Sequence, residues 1–268
     1  MNDIHNNNSI KFEKRLKIYK SKMSDSVVII PTYNELGNIE NTLEKVENLK
    51  VKFDVIVVDD NSPDGTGKLV EKIIQKNRFQ LNINLINRKN KGGLGSAYVE
   101  GFKKAIELKY SYVFQLDCDG SHDPNKLLEL RNNLIDDTAQ ISVGSRYIKG
   151  ISVLHWPLSR LLLSIFANYY VMIITGMKVK DSTGGFNGYS MPALKNILKN
   201  KITFEGYAFQ IQMKFNGYKL GYNIIEIPII FKDREIGESK MSFKIFGEAF
   251  FGIIGMKIKS FFRVYRKD

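Results

Sequence analysis

Short apolar, largely β-branched runs at residues 27–30, 55–58, 83–86, 112–116 and 141–143 alternate with stretches of helical period at 38–49, 66–76, 95–108 and 124–134. A run that is apolar at every position, rather than at every second one, is what a strand buried on both faces requires. Strand–helix alternation at this spacing predicts right-handed βαβ crossovers and a parallel sheet covered on both sides. The second half is less regular. It predicts a helix over Leu158–Thr175, a strand at 185–189, a helix at 204–215 and a strand at 224–231 whose Pro228 favours an edge or strand-end position. With no internal repeat and no Pro/Gly/Ser linker, one α/β domain over residues 26–243 followed by a basic, amphipathic C-terminal helix over 244–268 is the simplest organisation. Residues 1–25, with Asn6, Asn7 and Asn8 and then alternating Lys and apolar positions, read as a disordered or weakly helical basic leader.

Composition narrows the class. A chain of 268 residues with 43% apolar content, 17 Phe and 13 Tyr has the bulk for a packed core, which excludes wholesale disorder. The formal charge of +12 points to a polyanionic partner: nucleic acid, an anionic membrane surface or a phosphate-rich small molecule. The single cysteine, Cys118, makes an intramolecular disulfide impossible and suits a reducing, cytosolic setting. The two most apolar windows, 161–177 and 249–262, are interrupted by Ser164, Asn168 and Thr175 and by Lys257, Lys259 and Ser260. The expectation is therefore no transmembrane helix.

In open parallel sheets ligands bind beyond the carboxyl ends of the strands, and four of these ends are strongly polar. They read Pro31-Thr32-Tyr33-Asn34-Glu35, Asp59-Asp60-Asn61-Ser62-Pro63-Asp64-Gly65-Thr66, Asp117-Cys118-Asp119-Gly120-Ser121-His122-Asp123 and Gly144-Ser145-Arg146-Tyr147. Asp117 and Asp119, two residues apart at a strand end, can hold a hard divalent cation whose shell is completed by substrate phosphates. Aspartates also cluster in loops because they cap helices, and Asp123 before Pro124 fits that use. Asp60 is placed to accept hydrogen bonds from a ribose or base edge, whereas residues 62–65 are a plain turn signature. The stretch 91–95, Lys-Gly-Gly-Leu-Gly, is a poor dinucleotide fingerprint but can open a helix near a phosphate or sugar. The three histidines, His5, His122 and His155, have neither zinc-site nor triad spacing. His122 suits packing better than metal ligation, and Cys118, pointing away from the two aspartates, suits a buried, unreactive thiol.

Taken in order, these motifs together with Gly93-Leu94-Gly95, Asp233-Arg234 and Gly237-Glu238-Ser239-Lys240 resemble the dolichol-phosphate mannosyltransferases, inverting glycosyltransferases of the GT-A fold, a mostly parallel central sheet flanked by helices. The likeness runs from about residue 27 to 240. It implies that Pro31, Tyr33 and Glu35 bind the nucleotide, that Val58 and Asp60 hold its base and ribose, and that Cys118 lends backbone nearby. It implies Mg²⁺ or Mn²⁺ on Asp117 and Asp119. Ser121 would be a further metal ligand, weaker than the glutamine some related enzymes carry there. Arg146, Arg234 and Lys240 would meet donor and acceptor phosphates, and residues 181–186 and 206–210 would lie toward the acceptor. The implied partners are GDP-mannose, dolichyl phosphate, the cytoplasmic face of the endoplasmic reticulum membrane and small membrane-anchoring subunits. The implied product is dolichyl β-D-mannosyl phosphate, the lipid-linked mannose donor for N-glycans, GPI anchors and protein mannosylation.

The chemistry agrees with this reading. A metal on Asp117 and Asp119 would stabilise a diphosphate leaving group. A phosphate monoester, with a second pKa of about 6, is already largely dianionic near pH 7, so no catalytic base is needed. Membrane contact would come from Leu158–Thr175, which equally fits a buried core helix, and from residues 249–268, where five Lys and Arg interleave with Phe250, Phe251, Ile253, Ile254, Phe261 and Phe262. The rival readings are a polyprenyl-phosphate glucosyltransferase using UDP-glucose, a nucleic-acid-binding protein and a catalytically silent scaffold. Acidic strand ends and the lack of a nucleic-acid module place nucleic acid last.

Overall fold

The protein is described by a computed structural model covering residues 24–204, 206–233 and 243–267. Arg234, Lys240 and nearly all of the expected leader lie outside the described residues. The first half follows the predicted alternation: β1 (Ser26–Thr32), α1 (Ile39–Glu47), β2 (Asp54–Asp59), α2 (Thr66–Gln75), β3 (Ile83–Asn87), α3 (Leu94–Glu107), β4 (Tyr112–Gln115), α4 (Lys126–Ile135) and β5 (Ile141–Ser145). The second half holds β6 (Val153–Leu154), α5 (Leu158–Thr175), β7 (Asn187–Ser190), α6 (Met191–Lys199), α7 (Gly206–Lys219), β8 (Ile224–Pro228), β9 (Phe231–Lys232) and α8 (Phe243–Phe261).

The strands form a seven-stranded sheet in the order β3-β2-β1-β4-β7-β5-β8, with β6 and β9 as a separate parallel pair. Every pairing in the large sheet is parallel except those of β7, which runs antiparallel between β4 and β5. The continuous apolar runs are explained by burial on both faces: Val28, Ile30, Val55 and Val57 pack with α1 and α2 on one side, and Val27, Ile29, Ile56 and Val58 pack with α3 on the other. Pro228, which has no N–H to give, ends edge strand β8, so the expected single strand over 224–231 is two. Helix α6 was not expected; its start carries a recognisable signal, Ser190 at the N-cap with Pro192 in the first turn.

Helix α7 is enclosed along most of its length, so Gln210, Gln212, Lys214 and Asn216 are all buried. The third core cluster joins α5, α7 and α8 through Val171, Ile211, Phe215, Ile253 and Met256. Helix α5 is not a core helix. Leu158, Leu162, Phe166, Tyr169 and Ile173 form an exposed stripe at helical spacing, with exposures of 55–74%. Its polar residues turn inward instead: Asn168 Oδ1 accepts from Ser182 N and Oγ, each at 2.8 Å, and Tyr170 OH donates to the Phe250 carbonyl at 2.7 Å. The interruptions that argued against a spanning helix are thus its docking face, and by length and composition α5 is long and apolar enough to cross a membrane. With one face bound to the domain, it lies against the protein rather than standing apart.

Candidate active site

The polar strand ends converge as the topology demands, because β1, β2, β4 and β5 all deliver their carboxyl ends to one edge of the sheet. Asp59 closes the first of these connections internally: it accepts from Thr32 Oγ1 at 2.7 Å and from Ser62 Oγ at 2.6 Å. Glu35 starts α1, its carbonyl accepting from Asn38 and Ile39 and its carboxylate from Asn38 Nδ2 at 2.8 Å. Pro31 ends β1, and the Lys91 ammonium stands 3.7 Å from the Tyr33 ring centroid. Val58 is fully buried in the sheet, so only its backbone reaches this edge. Asp60 pairs with Arg88 and accepts from the amides of Gly92 and Gly93, each at 3.1 Å. Gly93, with φ of +86°, takes a conformation that side-chain-bearing residues avoid, and this brings its N–H onto the carboxylate. Asp60 therefore organises the loop that opens α3, a role its position in the sequence did not reveal.

Asp117 and Asp119 face a cavity of about 140 Å³. Tyr98 OH donates to Asp117 Oδ1 at 2.9 Å and the Ser121 amide to Asp119 Oδ1 at 3.0 Å, so both carboxylates are held in place. Cys118 between them is buried, its carbonyl accepting from Thr42 Oγ1 at 3.2 Å, and burial pushes its thiol well above the usual range. That makes it inert. The Ser121 hydroxyl is buried without a hydrogen-bond partner, an orphaned oxygen beside the acidic pair. Among the described residues no group of three His, Cys, Asp or Glu comes together. Two carboxylates and a hydroxyl fit a hard cation that completes its shell with substrate oxygens, and they do not fit a closed structural site. His122 stacks on Phe186 at 5.0 Å, and burial lowers its pKa, which keeps it neutral.

Arg146, at the end of β5, is itself buried. Its Nε and Nη2 donate to Asp181 at 2.7 and 2.6 Å, its amide donates at 2.9 Å, and Nη2 also reaches Thr183 Oγ1 at 2.8 Å. Burial by itself would raise the Asp181 carboxyl, but the charge and hydrogen bonds of Arg146, with Lys214 behind, hold it below the usual carboxylate range. Lys214 donates to the carbonyls of Ser182 at 3.2 Å and Gly184 at 2.7 Å, and burial lowers it to about 7. Arg146 lines the same cavity as the acidic pair. So does Arg160 on α5, which sequence reasoning passed over as one cation in an apolar run. The two guanidinium groups flank Trp156, at 5.4 and 4.1 Å from its ring, and Trp156 Nε1 is buried without a partner. Much of the remaining lining is apolar, with Leu163, Ala167 and Val171 from α5 and Phe250 and Ile253 from α8.

Comparison with known proteins places this arrangement. The model of glycosyl transferase family 2 matches residues 27–198. The chain belongs to glycosyl transferase family 2. Among family relatives, the undecaprenyl-phosphate mannosyltransferase of Micrococcus luteus is 39% identical over 83% of this chain and 90% of its own length. The polyprenol monophosphomannose synthase of Mycolicibacterium smegmatis is 37% identical over 85% of each chain. Two solved structures superpose at lower identity. The Mycobacterium tuberculosis glucosyl-3-phosphoglycerate synthase bound to Mn²⁺ and UDP gives a TM-score of 0.61 at 15% identity, covering 88% of this chain and 79% of that one. The Pyrobaculum calidifontis mannosyltransferase bound to GDP-mannose and Mn²⁺ gives 0.57 at 17% identity, covering 92% and 66%. The expected GT-A architecture is present, and the chain is a GT-A-type glycosyltransferase. The resemblance holds at the level of the polyprenol-phosphate mannosyltransferases; these bacterial relatives lend no support to its dolichol, endoplasmic reticulum and GPI-anchor specifics.

Proposed function

We propose that the chain transfers mannose from GDP-mannose to the phosphate of a membrane-held polyprenol, with inversion at the anomeric carbon. The observation that carries this reading is one cavity with two chemistries: its lining joins Asp117, Asp119, Arg146 and Arg160 to apolar side chains of α5 and α8. A soluble acceptor has no use for the second. Asp117 and Asp119, with Ser121 as a weak third donor, would hold Mg²⁺ or Mn²⁺, which when bound neutralises charge developing on the diphosphate. Arg146, Arg160 and the Trp156 N–H offer donors for the acceptor phosphate, and Arg234 and Lys240, outside the described residues, are retained as phosphate-binding candidates. One oxygen of the phosphate dianion attacks the anomeric carbon as its bond to the diphosphate breaks. The products are a β-linked polyprenyl mannosyl phosphate and GDP, and no proton needs to be removed from the nucleophile.

The nucleotide is proposed to lie over Pro31, Tyr33 and Glu35 and beside Asp60 and the backbone of Val58 and Cys118. The exposed stripe of α5 and the basic, aromatic end of α8 would lie in the membrane interface, with Phe251, Phe261 and Phe262 each at least 71% exposed. Dolichyl phosphate, and with it the cytoplasmic face of the endoplasmic reticulum and an anchoring subunit, remains one version of this proposal, and undecaprenyl phosphate is the version the bacterial relatives favour. The test is transfer of labelled mannose to dolichyl phosphate, undecaprenyl phosphate and a short soluble phosphate monoester. Metal-dependent transfer to the lipids, abolished by Asp119→Ala, is expected. Efficient transfer from UDP-glucose instead, or activity indifferent to chelator and to the substitution, would overturn the proposal.

A further inference from the structure

Buried amide side chains stand in a row behind the acidic pair, and their orientation can be worked out from one fixed point. The Gly184 carbonyl only accepts, and Asn187 Nδ2 lies 3.1 Å from it, so Asn187 must turn its amino group that way. The same amino group has one hydrogen left, which Gln210 Oε1 at 3.0 Å and Gln115 Oε1 at 2.9 Å share, and neither glutamine can turn its own amino group toward it. Gln210 is then left with its amino group on the far side. That Nε2 is buried, without a hydrogen-bond partner, on a residue 1% exposed that lines the cavity of Asp117 and Asp119. It also borders the gap left by Gly185: a Cβ built there would meet Gln210 Nε2 at 3.5 Å and Asp117 Oδ2 at 3.7 Å. A buried donor fixed beside the carboxylates with no protein acceptor is held at a cost that an acceptor oxygen from a ligand would relieve.

We infer that Gln210 is a specificity-determining residue whose Nε2 donates a hydrogen bond to a hydroxyl of the donor's hexose. The inference rests on the proposed glycosyl transfer from a nucleotide sugar and adds which protein atom reads the sugar. A site built around a buried donor rejects an analogue that lacks the matching oxygen, because the donor is then left dry.

The test is a set of GDP-mannose analogues, each missing one ring hydroxyl, measured as kcat/KM with wild type, Gln210→Met and Gln210→Ala. For one analogue the wild type should lose about tenfold to a hundredfold relative to GDP-mannose, and both variants should lose that discrimination while keeping it against the others. Comparing ratios cancels the analogue's own reactivity and any general loss from imperfect folding, and the alanine variant serves where the methionine one is poorly folded. Equal discrimination by wild type and variants across the whole set would overturn the inference. So would a loss of affinity for GDP alone as large as that for GDP-mannose, which would place the contact on the diphosphate. A wild type inactive with GDP-mannose but active with another nucleotide hexose would sink the proposed donor, and the same series built on that hexose would still decide Gln210.

Discussion

Replacing Asp181 by Asn isolates the interaction that holds Arg146 in the site. Asp181 is fully buried; Oδ2 accepts from the Arg146 amide at 2.9 Å and Nε at 2.7 Å, and Oδ1 accepts from Arg146 Nη2 at 2.6 Å and Gly184 N at 2.9 Å. An amide of the same shape has one oxygen. Whichever way it turns, its NH₂ faces two donors that had an acceptor, and the buried guanidinium loses the carboxylate that neutralises it. Two unsatisfied buried donors at about 1–3 kcal/mol each agree with the roughly 3–5 kcal/mol observed when one partner of a buried ion pair is removed. At about 2–4 °C per kcal/mol for a domain of this size, the melting temperature should fall by on the order of 10 °C. Urea unfolding of wild type, Asp181→Asn, Arg146→Met and the double variant measures it. The double variant should lose less than the two single losses combined, by more than about 1 kcal/mol, because it removes both charges of the pair together. An Asp181→Asn protein within about 1 kcal/mol of wild type, or strictly additive losses, would refute the argument.

Three further outcomes follow from the packing. Lys214 releases its proton near pH 7 when folded but holds it to about pH 10.5 when unfolded, so the unfolded chain binds more protons in between and stability rises with pH across that window. Wild type should therefore gain about 2–3 kcal/mol relative to Lys214→Met from pH 6 to pH 9, and a difference that stays constant would contradict the lowered pKa of the buried lysine. Gly101→Ala should cost about 1–3 kcal/mol in urea unfolding, since its Cβ would stand 2.5 Å from Ile29 Cγ2; an unchanged midpoint would show that the α3–sheet contact can open. Phe166→Asp with Ile173→Asp, at positions 55% and 74% exposed, should weaken flotation with anionic liposomes at least tenfold, with a melting temperature within a few degrees of wild type. Undiminished flotation would remove α5 from the membrane interface.

The amino-acid pattern carries the first five strands, their helices and the acidic edge, because a strand buried on both faces must be apolar throughout and its polar residues must wait for its end. The acidic pair, the Asp60 position and the inert Cys118 were legible for that reason. The direction of β7 was not: burial patterns are identical for parallel and antiparallel strands, and only the path of the chain through α5 decides it. Nor could the pattern separate a core helix from an interfacial one at Leu158–Thr175, since both are apolar and only the neighbours determine which face stays exposed. Arg160, Asn187, Gln210 and Lys214 are single polar residues in ordinary helical or strand surroundings. Their meaning comes from what the packing leaves them to bond: Asp233 for Arg160, the Ser182 and Gly184 carbonyls for Lys214, and for the buried Gln210 amino group no protein acceptor. The first five strands and the polar edge they share could be read from the amino-acid pattern; which buried polar atoms the protein satisfies emerged only on folding, because hydrogen-bond satisfaction depends on distances between residues far apart in the chain.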